Sequence, residues 1–282
     1  MSNVQAQATT DAGELPAASG PPAGRGSPGS GATLAGLTLR SRRRRLLALV
    51  AFAALFLAAA LTGRLLATGP EGGVEVGQLF VVGGYPLVSA LLLLGWVLGR
   101  FPLIATLVLL AGLVSDDRRD GYLRQYAVRP TSLVRIYGVR WLVLAGAAFA
   151  ISIVLMPVFD LIMLGKMAGF AYVPLILAYV ITYGGLTLLL SVWTRGDAWI
   201  ALLIAIFALV WNALLSMGAL TGAPPGITQV ITFLAPPQSQ FLRLEGAFAS
   251  IQPIPWDAFF FVCAYGVAAL VLAGVSLIAR ER

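Results

Sequence analysis

Polar and apolar positions along this chain are segregated into long blocks rather than alternating with a short period. Apolar blocks cover Leu46–Leu66, Leu79–Val114, Leu133–Leu164, Phe170–Trp193, Ala198–Leu220 and Asp257–Ile278, with short polar or glycine-rich stretches between them. A helix rises about 1.5 Å per residue, so about 20 apolar residues cross a bilayer core of roughly 30 Å. The pattern predicts an all-α, polytopic membrane protein of about six transmembrane helices. The block 79–114 fits least simply, because its 36 residues exceed one span and fall short of two with a turn, and Gly99-Arg100-Phe101-Pro102 interrupts it. It reads either as one long tilted helix kinked near Pro102 or as a shallow hairpin over 79–98 followed by a shorter span. Thr131 or Ser132 supplies an N-cap for the block that follows. Thr194-Arg195-Gly196-Asp197 is so short a connection that the blocks on either side of it must be antiparallel neighbours. The segment 221–256 carries Pro224-Pro225, Pro236-Pro237, Pro253 and Pro255 around two short apolar pieces, which predicts an outer-face cap or re-entrant helices.

Composition agrees with a lipid-facing exterior. The chain is 59% hydrophobic and 11% charged, with mean hydropathy +0.89, against roughly 25% charged for a soluble domain. Histidine is absent and Cys263 is the single cysteine, which excludes His/Cys metal sites, Ser-His-Asp and Cys-His triads and disulfides. Residues 1–31 hold almost no large apolar side chains and read as a disordered tail. The basic cluster Arg40, Arg42, Arg43, Arg44 and Arg45 follows that tail, too late for a secretory signal, so the first apolar block is an anchor that is kept. With Leu34, Leu37 and Leu39 before the arginines, 32–45 reads as an interfacial helix among anionic lipid heads, or as plain juxtamembrane charge.

The +7 net charge belongs to topology rather than to nucleic acid, because the arginines flank apolar blocks. With the N-terminus inside, fourteen cations (Arg40, Arg42 to Arg45, Arg118, Arg119, Arg124, Arg129, Arg135, Arg140, Arg195, Arg280, Arg282) fall on the inner side and three (Arg64, Lys166, Arg243) on the outer. The positive-inside rule then places both termini in the cytoplasm.

The segment Ser115 to Ser132 is the most informative. A charged loop between long apolar blocks has a plain reading as a topology signal. Its order supports a second reading: Asp116, Asp117, Arg118, Arg119 and Asp120 lead into Gly121, then Tyr122, Leu123, Arg124, Tyr126 and Val128, and Pro130 stops the chain before a fresh N-cap. That is a compact amphipathic helix at the membrane surface, fit to enter a partner's groove. Asp116-Asp117, Asp120-Gly121-Tyr122-Leu123 and Arg129-Pro130-Thr131-Ser132, with the arginine-rich entry to the first block, Ser191-Val-Trp-Thr-Arg195 and Ala235-Pro236, resemble type-2 ATP-binding-cassette permeases over about residues 34–280. Asp117 stands where Glu is commoner in that family, and Tyr122 where Thr is usual. The resemblance implies a permease subunit of an exporter in the cytoplasmic (inner) membrane of a bacterium. It implies pairing with a second permease subunit, a copy or a paralogue, and with a separate ATPase subunit that binds the ATP. It also implies that the loop 115–132, with its core at Asp117–Tyr126, is the coupling helix. No G-x-x-x-x-G-K-[ST] occurs in this chain, so no catalytic residue, metal or directly bound cofactor is expected.

Arg100 and Asp160 lie inside apolar blocks, where a charge costs about 2.5–3.5 kcal/mol. They pair with each other, line a pathway, or, for Asp160, lie at the outer interface. Gly184-Gly185 permits close helix packing. An intramembrane lipid-processing enzyme and a non-transporting scaffold or sensor are the alternatives. The enzyme would need a carboxylate cluster, and the only one, Asp116 to Asp120, is interleaved with arginines.

Overall fold

A computed structural model describes residues 30–67, 99–122, 132–164, 172–219, 224–249 and 252–281. Among these residues the regular structure is entirely helical. In chain order the helices are α1 (Ser30–Ser41), α2 (Arg43–Ala67), α3 (Phe101–Leu110), α4 (Ser115–Arg119) and α5 (Leu133–Leu164). They are followed by α6 (Tyr172–Trp193), α7 (Asp197–Ser216), α8 (Pro225–Leu234), α9 (Gln238–Ala249) and α10 (Trp256–Glu281). Five of them, α2, α5, α6, α7 and α10, are long and apolar enough to cross a membrane. The sixth expected span falls largely on 68–98, outside the described residues.

Of that block, 79–98 lie outside the described residues, and the described part is interrupted twice. The chain breaks at Arg100 and α3 starts afresh with Pro102 in its first turn, where a missing N–H costs nothing. The helix also stops at Leu110, short of Val114, because Gly112 adopts φ +71°, a conformation that glycine reaches without a Cβ penalty.

Burial sorts the spans. In α6, 78% of the apolar window is buried inside the protein, against 17% for α2 and for α7. α6 is therefore the axis of the bundle, in contact with α3, α5, α7, α9 and α10, while α2 and α7 turn most of their surface outward. The tightest crossing is α6 on α10. A Cβ on Gly185 would lie 2.4 Å from the Gly266 carbonyl oxygen, and one on Gly266 would lie 2.6 Å from that of Ile181. Thr182 Oγ1 donates across the same crossing to the Val262 carbonyl at 3.0 Å.

α8 and α9 form a hairpin that enters and leaves on one side. Its connections are to the C-terminal end of α7 and the N-terminal end of α10, yet its apex at Pro236-Pro237 lies deep. Gln238 Nε2 donates to the Tyr183 hydroxyl at 2.5 Å, and Tyr183 is roughly 16 Å of helical rise in from Tyr172. Tyr265 donates to the Leu234 carbonyl at 2.8 Å, roughly 13 Å in from Trp256. The two helices of this hairpin pack on α6, α7 and α10.

Candidate functional site

The turn after α3 exposes backbone amides within the bundle, and neighbouring helices supply their acceptors. Gly112 N donates to Asp197 Oδ2 at 2.8 Å, and Val114 N and Ser115 N donate to Ser191 Oγ at 2.9 and 3.0 Å. Asp197 Oδ2 also accepts from the Ser115 hydroxyl at 3.2 Å, and its Oδ1 accepts from Ala198 N in the first turn of α7 at 2.8 Å. Asp197 and Ser191 are both buried. Unsatisfied amides here would each cost on the order of 1–3 kcal/mol, so these two side chains fix the turn.

The acids that follow are tied to other helices. Arg42 Nη1 and Arg45 Nη2 reach Asp116 Oδ2 at 3.2 and 3.3 Å. Arg42 also donates to the Gly112 carbonyl at 2.9 Å and Arg45 to that of Ala111. Burial, and then repulsion from Arg45, holds the Arg42 guanidinium below its ordinary value. Asp117 is buried, and its Oδ2 accepts from Arg140 and, at 3.1 Å, from the Tyr137 hydroxyl. Arg118 donates to the Val192 and Thr194 carbonyls at 2.9 and 2.7 Å, closing the last turn of α6 in the way a cation suits a helix C-terminus. Asp116, Asp117 and Arg118 thus fasten α4 to α2, α5 and α6.

The remainder of the loop is different. Arg119, Asp120, Gly121 and Tyr122 are exposed, with Arg119 and Asp120 in a 3.6 Å surface pair and Gly121 at φ +80°. Leu123, Arg124, Tyr126 and Pro130 lie outside the described residues. The described part of the charged loop therefore has a base clamped by ion pairs and an exposed tip at Arg119 to Tyr122.

Arg100 and Asp160 are not brought together. Arg100 Nη2 pairs with Glu245 Oε2 of α9 at 3.0 Å, and Glu245 also accepts from the buried Tyr179 hydroxyl. Tyr179 stacks on Phe241 with ring centroids 4.5 Å apart, and Phe241 lies 5.8 Å from the Tyr183 ring. Arg100 is thus part of the seat of the α8–α9 hairpin. Asp160 is elsewhere, near the end of α5, and accepts from Tyr172 at the start of α6.

The residues not anticipated are Arg140, Tyr137, Ser191 and Asp197 at the loop base, and Glu245, Gln238 and Tyr179 at the hairpin. Arg140 and Glu245 carried a signal, each being a charge that apolar neighbours leave without a local partner. Asp197 looked like an ordinary turn residue. Among the described residues no group of three or more His, Cys, Asp or Glu is placed to hold a metal ion. No protein-family model, curated protein or solved structure matches the chain.

Proposed function

We propose that this chain is the membrane-spanning permease subunit of an ATP-binding-cassette exporter, coupled to a separate ATPase through the loop 115–132. The observation that supports this most directly is the division of that loop into a clamped base and an exposed tip. A surface that only signals topology has no need for Asp116, Asp117 and Arg118 to bond with three different helices. A lever that moves helices does need it, because force on the tip reaches the bundle only through fixed joints. The base joins α2, α5, α6 and α7, so displacement of the tip would load four of the five long apolar helices together. In this reading both termini and the loop are cytoplasmic, a second permease subunit completes the assembly, and ATP is bound and hydrolysed by the partner. The chain's own residues bind, position and transmit, and none reacts.

The test uses the residues that follow Tyr122 in the loop, where partner contact would be made. Tyr126→Ala combined with Leu123→Ala removes the apolar anchors and leaves the clamped base intact, and interface energy concentrates in such anchors. The double variant should insert into the membrane at the native level but lose the co-purifying P-loop ATPase and ATP-driven transport. A variant that inserts, recruits the ATPase and transports at the native rate would remove the functional role from this loop.

A further inference from the structure

The five arginines at the start of the first span are not used alike. Arg42 and Arg45 turn inward to Asp116. Arg40, Arg43 and Arg44 are exposed, and none of them has an ion pair among the described residues. The chain turns at Arg42, whose N–H donates to the Thr38 carbonyl and whose carbonyl accepts from Leu46 N at 3.0 Å; Arg43 and Arg44 form an exposed cationic surface at the start of α2, with Arg40 in the last turn of α1 preceding it. Exposed Leu47 and Val50 continue that surface toward the membrane interior, and exposed Leu37 flanks it on the other side.

Directly beyond the cations lies a groove between α2 and α5. It has a volume of about 420 Å³ and is lined by apolar side chains, among them Val50, Ala54, Leu57, Ala150, Val154 and Val158. Its near edge at Val50 is seven residues past Arg43, roughly 10 Å of rise. Ala54 and Ala150 are exposed in it, small residues with nothing among the described residues packed over them. A cationic band with a wholly apolar channel one headgroup's length away matches one kind of molecule, in which an anionic head is joined to a hydrocarbon chain.

We propose that Arg40, Arg43 and Arg44 together with the α2/α5 groove bind an anionic phospholipid of the surrounding bilayer, the phosphate on the arginines and an acyl chain in the groove. Charge complementarity selects the head, since juxtamembrane cations gain from anionic lipid in proportion to their number. The groove selects the chain, because lipid packed against a helix pair satisfies an apolar surface that no side chain fills. The site requires only that the chain spans a membrane and does not depend on the transport reading.

Delipidated full-length protein in detergent, titrated separately with dioleoylphosphatidylglycerol and dioleoylphosphatidylcholine and read by native mass spectrometry, tests it. The native chain should retain the anionic lipid preferentially. Arg43→Gln with Arg44→Gln should reduce that preference by roughly thirtyfold and leave the zwitterionic lipid unchanged. Ala54→Phe with Ala150→Phe fills the groove and should weaken both lipids, while dihexanoylphosphatidylglycerol, whose chains are too short to use the groove, should bind the native protein weakly. All four substitutions fall on exposed positions, and an unchanged thermal midpoint confirms folding. Equal retention of the two lipids by the native chain, an unchanged preference in the arginine variant, or unchanged binding in the filled-groove variant would each overturn the proposal. So would conversion of a dimer to a monomer by the groove variant, which would make a second copy of this chain the occupant.

Discussion

Glu245→Ala is the sharpest probe of how the α8–α9 hairpin is held. Glu245 and Arg100 side chains are 22% and 11% exposed, and the same carboxylate accepts from Tyr179, which is 1% exposed. Removing it leaves the guanidinium without this counter-charge and the hydroxyl without this acceptor. Loss of one member of a buried ion pair costs about 3–5 kcal/mol, and even the lower figure is about two decades in an equilibrium constant. For a chain of this size each kcal/mol lowers the thermal midpoint by roughly 2–4 °C, so a fall of roughly 6 °C or more is expected. Cys263, the single cysteine and half-buried in α10, reports it: a fluorogenic maleimide should label at the lower temperature. Glu245→Gln, which keeps an acceptor for Tyr179, should fall between the native and alanine proteins. Arg100→Met with Glu245→Leu should lose less than the sum of the two single changes, because the double variant removes both charges of this pair. A native midpoint for Glu245→Ala, or strict additivity in the double variant, would refute the view that this pair seats the hairpin.

Two further outcomes test the other joints. Gly266→Leu should separate α6 from α10, since even a Cβ there would lie 2.6 Å from the Ile181 carbonyl oxygen; loss of monodisperse folded protein in size-exclusion chromatography is expected, and a native elution profile and midpoint would refute the close crossing. Arg140→Met leaves Asp117 buried beside Tyr137 and should cost about 3–5 kcal/mol, read as the same fall in labelling temperature, with partial recovery on adding Asp117→Leu; no fall would mean that the clamp contributes little.

The long helices were legible in the sequence because blocks of twenty or more apolar residues admit few other structures. α5 spans Leu133–Leu164 as the block does, and α6 and α10 begin or end within three residues of theirs. The α8–α9 hairpin was half legible, since the prolines marked its breaks but its depth depends on Gln238 meeting Tyr183, 55 positions away. The turn at Gly112 was not legible. It interrupts a continuous apolar block, and hydropathy does not distinguish a helix that ends from one that continues. The partners of the charges were equally hidden, because Arg100 and Glu245 are 145 positions apart and Gly112 and Asp197 are 85. Pairing across such distances is a property of the packed bundle, which a single sequence does not display.

Both polar clusters arise from one constraint. Where a backbone leaves helical geometry away from water, its freed amides and carbonyls need partners within the protein. At Gly112 the freed amides find Ser191 and Asp197, at the end of α6 and the start of α7. At the hairpin apex the Leu234 carbonyl finds Tyr265 of α10. A polar residue on a long apolar helix is therefore best read as the complement of a break elsewhere. Ser191 and Asp197 locate the interruption at Gly112, and Tyr265 the one that Pro236-Pro237 marks. The same rule distinguishes Asp160 from Arg100. Asp160 is met by Tyr172 across the short link between two long helices, whereas Arg100 stands at the break that starts α3 and is met by a helix from the far end of the chain.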